Sequence, residues 1–296
     1  MHVLITGGTG FIGTALCDRL LQAGHALTVL TRDPARARTR LSAVRAIASL
    51  DEARDVEAVV NLAGEPLTAG RWNAARKQAF RTSRIGTTQQ LVAWMARQPV
   101  RPRVLVSGSA IGYYGPRDDT PLDESASPGD DFAAQLCRDW ETEAIHAEAL
   151  DVRTCRVRTG IVLAADGGAL AKMLPPFRLG AGGPMGDGRQ WMSWIHRDDL
   201  VRLIQWLLDS DHAGGAYNGT APQPATNRDF ARSLGKALHR PALLPTPAPV
   251  LKLVFGEMAQ LLLTGQRVLP AHALAEGFDF RFPTLDAALH DLLRRH

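Results

Sequence analysis

VLITGGTGFIG, residues 3–13, carries the reading on which the fold turns. A short apolar strand runs into a glycine turn and on into an amphipathic helix. Gly8, Gly10 and Gly13 satisfy G-x-G-x-x-G, while Gly7, Gly10 and Gly13 satisfy G-x-x-G-x-x-G. Glycine spacing alone is a weak signal, but here it follows a strand and opens a helix, the context a phosphate-binding fingerprint requires. Glycines let the backbone approach a pyrophosphate, and the helix N-terminus supplies free N–H groups and partial positive charge. The competing reading is a strand-to-helix turn that holds no ligand.

Outward from this stretch, residues 1–165 alternate β-branched apolar runs with longer helical patterns, as βαβ units feeding a parallel sheet do. The runs are HVLITGG from His2, HALTVLTR from His25, EAVVNLAG from Glu57, RVLVSGSA from Arg103 and TCRVRTGIVL from Thr154. Near-continuous Val, Leu and Ile fits strands buried on both faces. Helices are expected at 11–23, 73–97 and 131–149, the last capped by Asp130 or Asp131. Beyond about residue 166 Gly and Pro become dense (PPFRLGAGGPMGDG, 175–188), with helical patterns at 198–209, 226–238 and 249–264. The expected architecture is α/β: a Rossmann-like, doubly wound parallel sheet over 1–165 with a smaller substrate lobe over 166–296, part of which returns to the main sheet.

Composition narrows the function classes. The chain has 296 residues and a net charge of +4, with 34 basic and 30 acidic side chains interleaved along it. No basic run with aromatic spacing appears, which argues against a nucleic-acid partner. Cys17, Cys137 and Cys155 lack metal-ligand spacing, so free thiols in a reducing compartment, by default the cytoplasm, are expected and no metal is. No apolar stretch approaches the roughly 18 residues of a membrane span, and the N-terminus reads as a strand instead of a cleavable signal. The expected partner is a small-molecule substrate; the oligomeric state is not legible.

Cofactor choice is written at the end of the second apolar run, at Thr31 and Arg32. An NAD site places an acid there for the ribose 2′-hydroxyl. An arginine instead suits a 2′-phosphate, which favours NADP(H) over NAD(H). Asp33, one residue later, keeps NAD(H) in play, and a solvated strand end is the bland alternative for Arg32.

TGGTGFIG, NLAGE (61–65), SGSAIGYYG (107–115) and WIHRDDL (194–200) together resemble the extended short-chain dehydrogenase/reductase superfamily. More narrowly, RWNAARKQAFRTSRIGTTQQL (71–91), FAAQLCRDWE (132–141), 174–200 and the tail 264–289 resemble its atypical epimerase-like NAD(P)-binding family, whose members are often labelled sugar nucleotide epimerase. That resemblance implies that Gly7, Gly10, Phe11, Ile12 and Gly13 cradle a pyrophosphate and that Thr31 and Arg32 hold the adenosine phosphate. It implies that Leu62, Ala63 and Gly64 pass the adenine ribose, and that Arg84 lies near the cofactor. A surface salt bridge is the alternative for Arg84.

The resemblance also exposes a gap. The superfamily's acid/base pair, Tyr-x-x-x-Lys, uses the lysine to lower the tyrosine's pKa, and free tyrosine near 10 is a poor base at neutral pH. Here the tyrosines are Tyr113, Tyr114 and Tyr217, and no lysine occurs between Lys77 and Lys172. Phe132 and Leu136 are expected where the pair belongs. Ser109 remains at the position of the substrate-orienting hydroxyl, and Tyr113 or Tyr114 is either catalytic or pocket lining.

Other features admit quieter readings. Cys137 beside Arg138 is a thiol of lowered pKa or a packing residue. His196 with Asp198 and Asp199 is a metal cluster or a helix start. Glu124, Asp130 and Asp131 are acids or helix caps, and Trp191, Met192 and Trp194 roof a cleft or pack a core. Two functions remain open: an NADP(H)-dependent oxidoreductase or epimerase acting on a small hydroxyl or carbonyl compound, and a non-catalytic NADP(H)-binding sensor or regulator.

Overall fold

The computed structural model describes residues 1–41, 43–68 and 70–294. In chain order the first part forms β1 (His2–Thr6), α1 (Phe11–Gln22), β2 (Ala26–Leu30), α2 (Pro34–Arg40), β3 (Arg45–Ile47) and β4 (Ala58–Asn61). It continues through α3 (Ala74–Arg81), α4 (Thr87–Ala96), β5 (Val104–Ala110), β6 (Pro121–Leu122), α5 (Phe132–Ile145) and β7 (Arg153–Thr159). The second part comprises β8 (Ile161–Ala164), α6 (Gly168–Arg178), β9 (Trp191–Met192), β10 (Trp194–His196), α7 (Arg197–Asp209) and β11 (Gly215–Gly219). After these come β12 (Ala225–Thr226), α8 (Asn227–Leu238), α9 (Ala248–Phe255), α10 (Gln260–Leu263), β13 (Arg267–Val268), α11 (Ala271–Ala275) and α12 (Leu285–Arg294).

The main sheet has seven strands in the order β11-β7-β5-β4-β1-β2-β3, all paired in parallel. Both faces are covered, as parallel sheets require. Side chains alternate across a strand, so Val3 and Ile5 pack with α1 and α7 on one face, while Leu4 packs with Leu91, Trp94 and Ala144 of α4 and α5 on the other. The strand order reverses between β1 and β4, and ligands of such sheets bind outside the C-terminal strand ends at that switch point.

Several local expectations change. β3 is only three residues long and carries too little pattern to be seen. The helix expected at 73–97 is interrupted by one π-helical turn at Thr82–Gly86, and that at 131–149 begins at Phe132, with Asp131 as its cap, and ends at Ile145. The apolar run from Thr154 divides at Gly160: β7 stays in the main sheet while β8 pairs with β10. The Pro-rich stretch begins as α6, with Pro175 and Pro176 inside it, and the helix expected at 249–264 breaks at Gly256, whose φ is +60°.

The C-terminal segment is stitched into the body. β13 pairs with β6, and the Arg117 N–H donates to the Gly265 carbonyl at 3.0 Å. The Asp199 carboxylate, fully buried in the first turn of α7, accepts from the Arg281 and Phe282 N–H groups at 3.0 and 2.9 Å and from Arg202 at 2.9 Å. Among the described residues, no helix is long and apolar enough to cross a membrane.

Candidate functional site

At the start of α1 the backbone is packed to its limit. A Cβ at Gly13 would lie 2.2 Å from the Gly7 carbonyl oxygen, and one at Gly7, whose φ is +70°, would lie 2.5 Å from that of Leu62. Only hydrogen fits at either position, so the turn is drawn tightly against the end of β4. Gly10 caps α1 without any side-chain hydrogen bond, and the first turn carries no acid. That leaves a helix N-terminus with its donors and partial positive charge undiluted. Phe11 and Ile12 join the loop by their backbone. The Phe11 ring packs where a Cβ at Gly167 or Gly168 would otherwise be, 2.6 and 2.9 Å away, and Ile12 leans on the core.

Behind the loop a polar cluster locks β1, β4, α4 and α5 together. Thr6 donates to Asn61 Oδ1 at 2.7 Å, Asn61 Nδ2 donates to Thr88 at 2.8 Å, and Trp140 Nε1 donates to Thr88 at 3.0 Å. The Ala63 N–H donates to Thr6 Oγ1 at 3.2 Å, which fixes Leu62, Ala63 and Gly64 beside the glycine turn. Sequence reasoning missed this cluster; its signal was a short run of polar residues at the ends of otherwise apolar strands.

At the other end, Thr31 and Arg32 follow β2. Arg32 is 94% exposed and its Nη1 lies 3.3 Å from Glu65 Oε1. Asp33, the acid that kept NAD(H) in play, caps α2 by accepting from the Arg36 N–H at 2.9 Å.

Arg84 enters from the π-helical turn, a distortion that re-aims side chains and is frequent at functional sites. Its guanidinium lies against Gly64, where an added Cβ would come within 2.9 Å of Cζ, and 5.4 Å from the Trp140 ring. Nη2 donates to the Glu65 carbonyl at 3.0 Å, while Nη1 is buried with no hydrogen-bond partner among the described residues. Burial lowers the Arg84 pKa, opposed by the neighbouring Cys137 and Glu65. Arg81 turns elsewhere, donating to Asp139 at 2.7 Å.

The end of β5 holds the candidate catalytic groups. Ser109 donates its hydroxyl hydrogen to Glu141 Oε1 at 2.7 Å. Glu141 is gripped by Arg158, Nε to Oε1 at 2.8 Å and Nη2 to Oε2 at 2.9 Å, and both residues are 4% exposed. Burial alone would lower the Arg158 pKa, but the bond to Glu141 outweighs it and raises it. Arg158 Nη1 donates to the Tyr114 hydroxyl at 2.9 Å, and that hydroxyl donates to Asn218 Oδ1 at 2.7 Å. Tyr114 is fully buried, and burial pushes its phenol up to about 12 despite Arg158. Tyr113 is half-buried, edge-on to Tyr114, with the Arg158 guanidinium 3.5 Å over its ring.

The two tyrosines are thus brought together but differ in access. On α5, Phe132 packs against Trp72 with ring centroids 5.4 Å apart, and Leu136 is buried. Cys137 and Glu141, four apart on one helical face, are the residues that reach Ser109. Burial pushes the Cys137 thiol up to about 12, so it is a packing group rather than a nucleophile. Arg158 and Glu141 were not singled out from the sequence, although an arginine inside a central strand is a signal of a buried partner.

The remaining candidates make contacts within the fold. Glu124 accepts from the Asn218 and His272 N–H groups at 2.8 and 3.1 Å, and His196 Nδ1 accepts from the Asp198 N–H at the start of α7. Met192 and Trp194 belong to the second core, and Trp191 Nε1 donates to Asp119 at 2.8 Å.

Residues 3–218 match the NAD dependent epimerase/dehydratase family, and residues 246–292 match a domain of unknown function, DUF1731. An epimerase family protein SDR39U1 homolog of Arabidopsis thaliana, described as chloroplastic, is 42% identical over 99% of this chain and 87% of its own length. The crystal structure of human epimerase family protein SDR39U1 with NADPH is 39% identical over 100% of both chains, with a TM-score of 0.91. UDP-glucuronic acid 4-epimerase from Bacillus cereus, in complex with UDP-glucuronic acid and NAD, shares the fold at a TM-score of 0.79 and 18% identity, over 100% of this chain and 99% of its own.

Proposed function

The chain belongs to the NAD dependent epimerase/dehydratase family, and from that premise we propose that it is an NADP(H)-dependent oxidoreductase or epimerase acting on a small hydroxyl or carbonyl compound. The observation that carries the reading is the glycine cradle, where a Cβ at Gly7 or Gly13 would occupy the space the loop needs. The uncapped start of α1 and the unpaired Arg84 Nη1 add donors facing the same ligand class. The human relative's structure with NADPH supports the phosphorylated cofactor. Gly7, Gly10, Phe11, Ile12 and Gly13 hold the pyrophosphate, Thr31 and Arg32 the 2′-phosphate, and Leu62, Ala63, Gly64 and Arg84 the ribose side. When bound, the nicotinamide supplies or removes hydride.

The chain's own proton chemistry differs from a tyrosine–lysine pair. Tyr113 is the half-buried phenol of the pair, with the Arg158 guanidinium 3.5 Å over its ring. Tyr114 orients Arg158 and Asn218, and its raised pKa opposes ionisation at neutral pH. Ser109, its hydrogen committed to Glu141, offers lone pairs to a substrate hydroxyl. Substrate contacts come from residues 109–117 and 173–196, and the buried, unbridged cysteines fit a reducing compartment such as the cytoplasm.

A second reading, a non-catalytic NADP(H) sensor, is favoured by one observation: Ser109 and Tyr114 already spend their hydroxyl hydrogens inside the protein. Fluorescence titration with NADPH and NADH, followed by a carbonyl-metabolite panel monitored through reduced-nicotinamide absorbance, separates the two. Absorbance loss that Tyr113→Phe abolishes and Tyr114→Phe merely weakens supports the enzyme. Tight binding without turnover supports the sensor, and no binding of either nucleotide refutes both.

A further inference from the structure

Glu65 stands at the junction of the two arginines assigned to the cofactor. Its N–H donates to Ser83 Oγ at 3.0 Å, and its carbonyl accepts from Arg84 Nη2 at 3.0 Å. The backbone is therefore pinned on both sides, directly after the Leu62–Gly64 segment that seats the glycine turn. From this fixed point the carboxylate reaches Arg32, with Oε1 3.3 Å from Nη1. The nearer acid in sequence, Asp33, is committed to the Arg36 N–H.

We propose that Glu65 is a specificity-determining residue that holds Arg32 in the free protein and moderates its preference for a 2′-phosphate over a 2′-hydroxyl. The inference rests on the NADP(H) reading above. A 2′-phosphate engages Arg32 by charge-assisted hydrogen bonds, so it must draw the guanidinium from Glu65 or share it while a carboxylate stands close by. A nucleotide with a free 2′-hydroxyl brings no charge, leaves the Arg32–Glu65 pair intact and offers a hydroxyl that can donate a hydrogen bond to Glu65. Glu65 thus weakens NADPH binding relative to a neutral residue at 65, and NADH binding is unaffected or aided. Because Arg32 is exposed and the pair is worth at most about what surface ion pairs are worth, the effect on the affinity ratio is a modest one, roughly two- to fivefold.

The test is nucleotide binding, followed by quenching of tryptophan fluorescence or by calorimetry, in the full chain, Glu65→Gln, Arg32→Gln and the double variant, at low and at high salt. Glu65→Gln is expected to raise the NADPH:NADH affinity ratio about two- to fivefold, and Arg32→Gln to collapse it. In the Arg32→Gln background the Glu65→Gln change is expected to lose most of its effect, and raising the salt is expected to shrink it. An unchanged ratio in Glu65→Gln, with NADPH still bound tightly by the parent, overturns the role of Glu65 and leaves the cofactor assignment standing. A parent chain that binds neither nucleotide overturns both.

Discussion

Replacing Arg158 by Met tests whether the buried cluster behind Ser109 is held by charge pairing. Arg158 makes two hydrogen bonds to Glu141, one to Tyr114 and one, at 3.0 Å, to the Glu124 carbonyl. Methionine fills much of the same volume but leaves the Glu141 carboxylate, 4% exposed, with the Ser109 hydroxyl as its remaining hydrogen-bond partner among the described residues. Arg156 Nη1 stands 3.8 Å away, too far for a strong bond. Breaking one side of a buried ion pair costs about 3–5 kcal/mol. At about 2.1 cal/mol/K of unfolding entropy per residue, a chain of this length loses on the order of 5–8 °C in Tm. Adding Glu141→Leu removes the stranded charge, so the double variant is expected to recover most of the loss. About 1 kcal/mol remains for each hydrogen bond that Ser109 and Tyr114 forfeit. Thermal unfolding by circular dichroism of the parent, both singles and the double gives the coupling directly. A single variant within about 1 kcal/mol of the parent, or a double less stable than Arg158→Met, refutes the reasoning.

Three further outcomes follow from other sites. Gly13→Ala forces a methyl to within 2.2 Å of the Gly7 carbonyl oxygen; we expect a stability loss of about 1–3 kcal/mol and at least a tenfold weaker NADPH affinity, read by fluorescence titration, and unchanged binding would remove the loop from the site. Asp199→Asn trades a carboxylate that serves two backbone N–H groups and Arg202 for an amide that cannot accept from all three; urea unfolding is expected to show a loss of roughly 2–4 kcal/mol, and hydrogen exchange should localise the opening to the 278–282 segment. His196 is buried among Asp198, Asp199, Asp291 and Arg197, and burial holds its pKa below the ordinary 6.5. Its neutral form is thus the folded one, so its contribution to stability is intact above about pH 6.5 and declines as the pH falls below that value. The urea midpoint should therefore drop less between pH 7 and pH 5 in His196→Asn than in the parent.

Much of the scaffold was legible because its signals are local. Five of the seven sheet strands read as apolar runs, and the glycine turn lies between the first strand and α1 as its spacing demanded. What escaped is long-range or marginal. β3 shows only three residues of pattern. The π-helical turn that aims Arg84 leaves no mark on a 3.6-residue period, and the last turn of α6 runs through Pro175 and Pro176, residues that argue against a helix. In the candidate site, Arg32 announced itself by position, but its partner Glu65 is reached across the sheet. Likewise Ser109 and Tyr114 were visible as types. Their states were not, because Glu141, Arg158 and Asn218 come to them from α5, β7 and β11. Periodicity fixes which face a residue takes, and pairing across crossovers decides what it meets there.

The stitched C-terminal segment has a consequence for the order of events during synthesis. Asp199 and Glu124 belong to the body of the fold, yet their carboxylates are answered by N–H groups at 272, 281 and 282. At about 5–20 residues per second, several seconds separate the emergence of Asn218 from that of Phe282. During that interval the seven strands are available, and Arg202 and the Asn218 N–H are there to pair with Asp199 and Glu124, but the N–H donors at 272, 281 and 282 and the Leu269 carbonyl that accepts from the Asn218 amide are not. The hydrogen-bond sets of Asp199, Glu124 and Asn218 are therefore complete only once residues 269–282 are in place.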